Sequence, residues 1–150
     1  MIAVVQRVTS GRVTIDDRTV GEIEKGLVVL AAVERNDTDE KIRWMAEKLI
    51  GLRIFRSAEG GKHFDQDVKQ IGGSILLVSN FTVAAATRRG RRPSLDGAAD
   101  PEAGRVMFNR FVDVVKSLGV PVATGKFGAD MIVSIDNDGP ATFIVQTDRD

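Results

Sequence analysis

Three short segments hold residue types able to do chemistry. The first is Ser79-Asn80-Phe81-Thr82, two hydroxyls and an amide at the exit of Ile75-Leu76-Leu77-Val78, an apolar run that reads as a fully buried strand. Strand alternation would put Ser79 and Phe81 on one face and Asn80 and Thr82 on the other. Side chains there are held by the core yet reach the surface, which suits a binding site. On spacing alone, a plain strand end whose hydroxyls satisfy backbone groups is the better explanation. The second is Asn137-Asp138-Gly139-Pro140-Ala141-Thr142, where glycine tolerates unusual backbone angles and proline fixes its own; by itself it reads as a hairpin turn. The third is Thr124-Gly125-Lys126-Phe127-Gly128-Ala129-Asp130-Met131, an aromatic between glycines that would let backbone approach a ligand, or would simply form a loop. Between the first and third lies Thr87-Arg88-Arg89-Gly90-Arg91-Arg92-Pro93, four arginines in five residues with no acid before Asp96. Phosphate contact and a solvated charged loop suit this run equally.

Other chemistries are excluded. The chain has no cysteine, which removes thiol nucleophiles, disulfides and thiolate zinc sites. Its one histidine, His63, excludes schemes that need two imidazoles; in Gly60-Gly61-Lys62-His63 it reads as an exposed loop residue. Asp65 and Asp67 stand two apart, but nothing else converges on them, so no metal is expected. The nearest approach to a phosphate loop, Gly119 through Phe127, spaces its glycines six apart instead of five and has Phe127 where a magnesium-binding hydroxyl belongs. Lys plus Arg and Asp plus Glu number 21 each, a neutral balance that argues against coating nucleic acid by bulk charge while allowing a local basic patch. The longest clean apolar run, Leu27 to Val33, is far short of the ~20 residues of a membrane helix. A cytoplasmic protein is expected.

With 43% of 150 residues apolar, the chain can bury a sizeable core as one domain over 1–150, and no linker or repeat divides it. Two helices are predicted. Asp37 caps the first, Ile42, Met45, Ala46, Leu49 and Ile50 form its buried stripe, and Gly51 stops it. Asp100 caps the second, Pro101 occupies its first position, Phe108, Phe111, Val112, Val115 and Leu118 are buried, and Gly119 and Pro121 end it. Strands are predicted over 2–8, 12–15, 26–33, 52–55, 74–83, 120–124, 131–136 and 141–146, the last two joined by a turn at Asn137–Pro140. The pattern gives an α+β fold of mostly antiparallel strands with two main helices, not a doubly wound parallel sheet.

Taken together and in order, these segments resemble the D-aminoacyl-tRNA deacylases (the D-tyrosyl-tRNA deacylase family) almost end to end. The matching text is Ala3-Val4-Val5-Gln6-Arg7-Val8, Leu52-Arg53-Ile54-Phe55, the Ser79-x-Phe81-Thr82 strand end, Gly90-x-Arg92-Pro93-Ser94, Thr124-Gly125-x-Phe127-Gly128-Ala129-x-Met131 and Asn137-Asp138-Gly139-Pro140-x-Thr142. Each fragment is weak alone; six in register are specific.

The resemblance implies a β-rich homodimer that hydrolyses the ester between a D-amino acid and the 3′ adenosine of tRNA, without metal or organic cofactor. It makes Ser79 and Thr82 the hydroxyls beside the scissile ester, with Asn80 and Phe81 between them. It assigns the terminal adenosine to the stretch holding Phe127, Gly128, Ala129 and Met131. It also implies a cis Gly139–Pro140 bond, the pair projecting into the partner's pocket and excluding L-amino acids. Arg88, Arg89, Arg91 and Arg92 are expected on tRNA phosphates, with neither DNA nor membrane as partner; glycine mischarged on tRNA is a further candidate substrate. Two departures stand out: Asn80 replaces the family's usual Gln, and Ala84 and Ala86 replace its Tyr and Asp. The rival readings are a hydrolase of other small acyl esters and a non-catalytic RNA-binding module.

Overall fold

The computed structural model describes residues 1–148, and its organising element is one long strand, β1 (Ile2–Ile15). Two aspartates with positive φ, Asp16 and Asp17, turn the chain in a two-residue hairpin into β2 (Arg18–Ile23), antiparallel to the second half of β1. β3 (Gly26–Ala32) pairs antiparallel with the first half, placing Ala3 opposite Ala31 and Arg7 opposite Leu27. β4 (Ser74–Ser79) and β5 (Val122–Thr124) follow in parallel register, and β6 (Ile132–Gln146) runs antiparallel along the free edge of β1. The sheet curls almost into a barrel: a Cβ on Gly21 of β2 would stand 2.2 Å from the Thr124 carbonyl oxygen of β5, so only glycine permits that approach.

Strand alternation divides the core in two. Leu27, Val29 and Ala31 of β3 and Ile75 and Leu77 of β4 face helices α1 (Asp39–Gly51) and α2 (Pro101–Ser117), packing on Met45, Leu49, Phe108 and Phe111. Val28, Leu76 and Val78 face the other way, into the barrel, with Val8, Val13 and Ile23. Burial on both faces is why β4 reads as an unbroken apolar run.

The α+β reading holds, with several local corrections. Thr38 is the N-cap of α1, its Oγ1 accepting from the Lys41 N–H at 3.4 Å, whereas the Asp37 carboxylate accepts from the Glu34 N–H at 2.7 Å. Gly51 remains within α1, and the chain leaves through extended Leu52, so no left-handed glycine cap forms there. Gly119, with φ +85°, does supply one after α2. Residues 52–55 form only an isolated bridge between Phe55 and Gln66. The strand predicted over 74–83 stops at Ser79 and tightens into a 3-10 turn over Phe81–Ala84. Asn137–Pro140 does not reverse the chain; 132–146 is one strand, and both halves pair with β1.

Gly104 in α2 is tolerated but not required. Its φ is not positive, and an added Cβ would meet Phe127 Cζ at 3.5 Å and Ala99 Cβ at 3.8 Å, ordinary contacts. Gly104→Ala should therefore stabilise the protein by about 0.5–1 kcal/mol through helix propensity. Thermal unfolding should show a Tm rise of roughly 2–3 °C.

Candidate active site

Parallel strands end on the same side of a sheet, so the exits of β4 and β5 are neighbours, with Leu77 opposite Thr124. The structure thus brings Ser79–Thr82 beside Thr124–Met131. Asn80 holds the first segment: its backbone N–H donates to the Ala31 carbonyl at 2.9 Å, and its Oδ1 accepts both from the Thr82 N–H at 3.2 Å and from the Thr82 hydroxyl. Asn80 is the N-cap of the 3-10 turn, so the predicted alternation of faces fails beyond Ser79. The Thr82 hydroxyl is exposed and points its proton at an amide oxygen, which is no general base. Phe81, 58% exposed, is the site's aromatic most open to solvent.

The second segment is a self-supporting loop. Gly125 donates its N–H to the Leu77 carbonyl, Lys126 its N–H to Met131 Sδ at 3.4 Å, and Ala129 its N–H to the Lys126 carbonyl at 3.2 Å. A Cβ on Gly125 would collide with Met131 Sδ at 2.5 Å. Phe127 packs on Phe108, with ring centroids 6.1 Å apart, and is half-buried; Gly128, at φ +76°, returns the chain.

Gly139 and Pro140 lie elsewhere. Their bond is cis and both are exposed, on a bulge of β6 opposite Arg7 of β1. Arg7 pairs with Leu27, while Ser79 pairs with Ala31 four residues further along β3. That separation is roughly 13 Å along the strand direction, with β1 and β3 lying between the two segments.

Arg7 is the candidate residue to which sequence reasoning gave no role. It is 4% exposed, the one charged residue buried as a whole among the described residues. Its Nη1 donates to the Ile54 carbonyl at 2.8 Å, and its Nε lies 3.2 Å from the Asp138 carbonyl oxygen and 3.1 Å from the Asp138 carboxylate. Burying a guanidinium is costly unless its donors are satisfied. These bonds occupy Nη1 and Nε and tie the residue before Gly139 to the body of the fold. A lone arginine in an apolar strand was the available signal.

The remaining candidates separate cleanly. Arg88, Arg89, Arg91 and Arg92 occupy the exposed tip of a loop whose neck is closed by reciprocal Ala86–Ser94 backbone bonds of 2.8 and 2.9 Å; none forms an ion pair among the described residues. Ala86, part of the second departure, forms that neck. Asp65 binds Arg53, Asp67 accepts from the Gln70 N–H at 2.9 Å, and His63 is exposed. A groove of about 510 Å³ lined by Ser10, Arg12, Glu22, Glu24 and Asp136 includes none of the segments above.

A β-rich, nearly closed sheet with two helices, hydroxyls at one strand exit and a projecting Gly-Pro bulge define a class of protein that has known members. The family model described as D-Tyr-tRNA(Tyr) deacylase matches residues 4–146. A protein of Geobacter sulfurreducens named D-aminoacyl-tRNA deacylase is 49% identical, covering 98% of this chain and 95% of its own length. One of Shewanella loihica with the same name is 51% identical, over 97% and 99%. Among solved structures, a "c-Myc DNA Unwinding Element Binding Protein" superposes with a TM-score of 0.93 at 34% identity, over 97% of this chain and 98% of that one. A "probable eukaryotic D-amino acid tRNA deacylase" shares the fold with a TM-score of 0.81 at 18% identity, over 96% and 98%. The chain belongs to the D-Tyr-tRNA(Tyr) deacylase family and is accordingly an enzyme, a hydrolase of the deacylase class. No helix among the described residues is long and apolar enough to cross a membrane.

Proposed function

We propose that the protein works in the cytoplasm as a homodimer that releases D-amino acids from D-aminoacyl-tRNA, with the Gly139–Pro140 pair of one subunit excluding L-amino acids from its partner's pocket. The observation that carries this reading is the separation of Gly139–Pro140 from Ser79–Thr82 in a single chain. A pair that lies this far from its own hydroxyls, held rigidly and turned outward, suits action on a second copy. The sheet offers a surface for that copy: Ile144, Val4 and Leu30 stand in one row across β6, β1 and β3, with Ile144 64% exposed at its edge. A long edge strand with exposed apolar side chains favours pairing with another subunit.

In this reading Ser79, Asn80 and Thr82 position the ester, and Thr82 acts through its placement, since its proton partner is an amide oxygen. An ester next to a ribose hydroxyl needs orientation and stabilisation of the developing oxyanion more than a strong base. Exposed Phe81 is suited to stacking on substrate, and the 125–131 loop to cradling the terminal adenosine. Glycine, lacking a side chain to exclude, would pass the same gate. The test is turnover of matched D- and L-aminoacyl-tRNA and of simple D-aminoacyl esters. Release of the D-residue from tRNA alone supports the proposal; equal turnover of simple esters favours a general esterase, and binding without turnover favours an RNA-binding module.

The arginine loop belongs to tRNA binding in this scheme. Replacing Arg88, Arg89, Arg91 and Arg92 by Ala should leave single-turnover chemistry unchanged at saturating tRNA while reducing the log–log salt slope of binding by ~0.7–0.9 for each phosphate no longer neutralised. Duplex DNA is the control arm, because one solved neighbour is named for binding DNA. An unchanged slope for tRNA would reduce the run to a solvated loop.

A further inference from the structure

Between the pairs Gln6–Thr142 and Val8–Asn137, five residue steps on β6 face only two on β1. The excess is extruded as the Asp138–Ala141 bulge, and extrusion removes regular ladder bonds from the backbone at its neck. A buried or half-buried carbonyl that loses its donor must find another. Asn137 supplies it twice: its Nδ2 donates to the Arg7 carbonyl at 3.0 Å, across the ladder, and to the Ala141 carbonyl at 3.1 Å, across the neck. Its Oδ1 accepts from the Thr142 hydroxyl at 3.2 Å and lies 3.4 Å from Gln6 Nε2, which is also 3.2 Å from Thr142 Oγ1. Both donors and both acceptor sites of one amide are thereby used. The orientation is forced, because a flipped amide would set its oxygen against two carbonyls that can only accept.

We infer that Asn137, Thr142 and Gln6 are positioning residues that close the neck of this bulge, and that the stereoselectivity of deacylation depends on their closure. The inference rests on the proposed role of Gly139–Pro140. Arg7 holds the bulge from one side through Asp138 and Ile54; the amide clamp holds it at both ends of its neck. Neither Asn137 nor Thr142 is placed against the ester, so their effect is on where the Gly139 and Pro140 carbonyls point. Excluding a wrong enantiomer requires a clash that cannot move aside, and a loosened neck lets it move.

Asn137→Asp keeps the shape and replaces the two amide donors with a carboxylate oxygen facing carbonyls; Thr142→Val keeps the shape and removes the hydroxyl. Each should lower the ratio of D- to L-aminoacyl-tRNA turnover at least tenfold, chiefly through L-turnover rising above the wild-type level. Thr142→Ser, which keeps the hydroxyl, should restore the ratio. Thr142→Val carries the test alone if Asn137→Asp fails to fold, being an exposed, isosteric change. A merely structural role would lower both rates together with the folded fraction, leaving the ratio unchanged, and that result would overturn the inference. Gly139→Ala measured alongside separates the two readings. If it lowers D-turnover while the clamp variants keep the wild-type ratio, only the clamp is wrong; if it too is without effect, the gate itself is misplaced and the clamp inference falls with it.

Discussion

Mixing two impaired variants, Thr82→Ala and Gly139→Ala, should restore activity well above that of either alone. In an isologous dimer each site would draw its hydroxyls from one chain and its Gly-Pro pair from the other. A mixed dimer then has one site with Thr82 from the Gly139→Ala chain and Gly139 from the Thr82→Ala chain, both native, while its second site lacks both. With random exchange half the dimers are mixed and one of their two sites is intact, so about a quarter of wild-type activity should return. Co-expression or joint refolding provides the exchange, and D-aminoacyl-tRNA turnover is the readout. The reciprocal arm mixes wild type with an excess of the Thr82→Ala/Gly139→Ala double variant, which should poison wild-type chains by depriving them of a partner's pair. Activities that simply add, with no restoration and no poisoning, would mean that each chain completes its own site. That result would contradict the separation read from the strand register, where Gly139 lies near Arg7 and Leu27 and Ser79 near Ala31.

The parts of the fold that were legible in the sequence are those decided by local physics. β4 was readable because burial on both faces leaves no polar position in Ile75–Val78, and the start of α2 because Asp100-Pro101 can begin a helix but not continue one. β2 was not: Arg18–Ile23 is mostly exposed with a single buried anchor, Ile23, and its turn uses Asp16-Asp17 instead of the Asn-Gly or Asp-Gly that signals a two-residue hairpin. The β6 bulge was misread as a hairpin for a different reason. Gly with positive φ followed by Pro serves either geometry, and only the long partner strand β1 decides that the chain continues forward. For the site, residue types pointed to Ser79, Asn80 and Thr82, but not to the 3-10 turn that joins Asn80 to Thr82. Arg7 escaped because its meaning lies in partners at Ile54 and Asp138, 47 and 131 residues away. Long-range satisfaction of a buried charge leaves no local pattern.

Gly139→Ala should be the most damaging small substitution in the β6 bulge for activity. In the proposed reading a β-carbon at 139 would enter the partner's pocket; the structure adds an obstacle within the same chain. A Cβ at 139 would lie 2.7 Å from Arg7 Nη2 and 3.1 Å from the Ala141 backbone nitrogen. The arginine end is flexible in principle, but it is buried and bonded to Ile54 and Asp138, so yielding would break the hydrogen bonds that steady the bulge. The φ of +120° adds strain for any L-residue, about 1–3 kcal/mol. Even the lower part of that range, if expressed in the transition state, approaches the ~1.4 kcal/mol that corresponds to a tenfold loss of rate. Obstruction of the partner's pocket would add to it. We therefore expect kcat/KM for D-aminoacyl-tRNA to fall at least tenfold, with no compensating gain on the L-substrate, because an added methyl narrows the gate whereas opening the neck at Asn137 widens it. Turnover of matched D- and L-aminoacyl-tRNA, with dimerisation and Tm measured on the same preparation, distinguishes obstruction from unfolding. Unchanged D-turnover in a folded, dimeric Gly139→Ala protein would put the Gly-Pro pair outside the pocket and return chirality to the residues around Ser79 and Thr82.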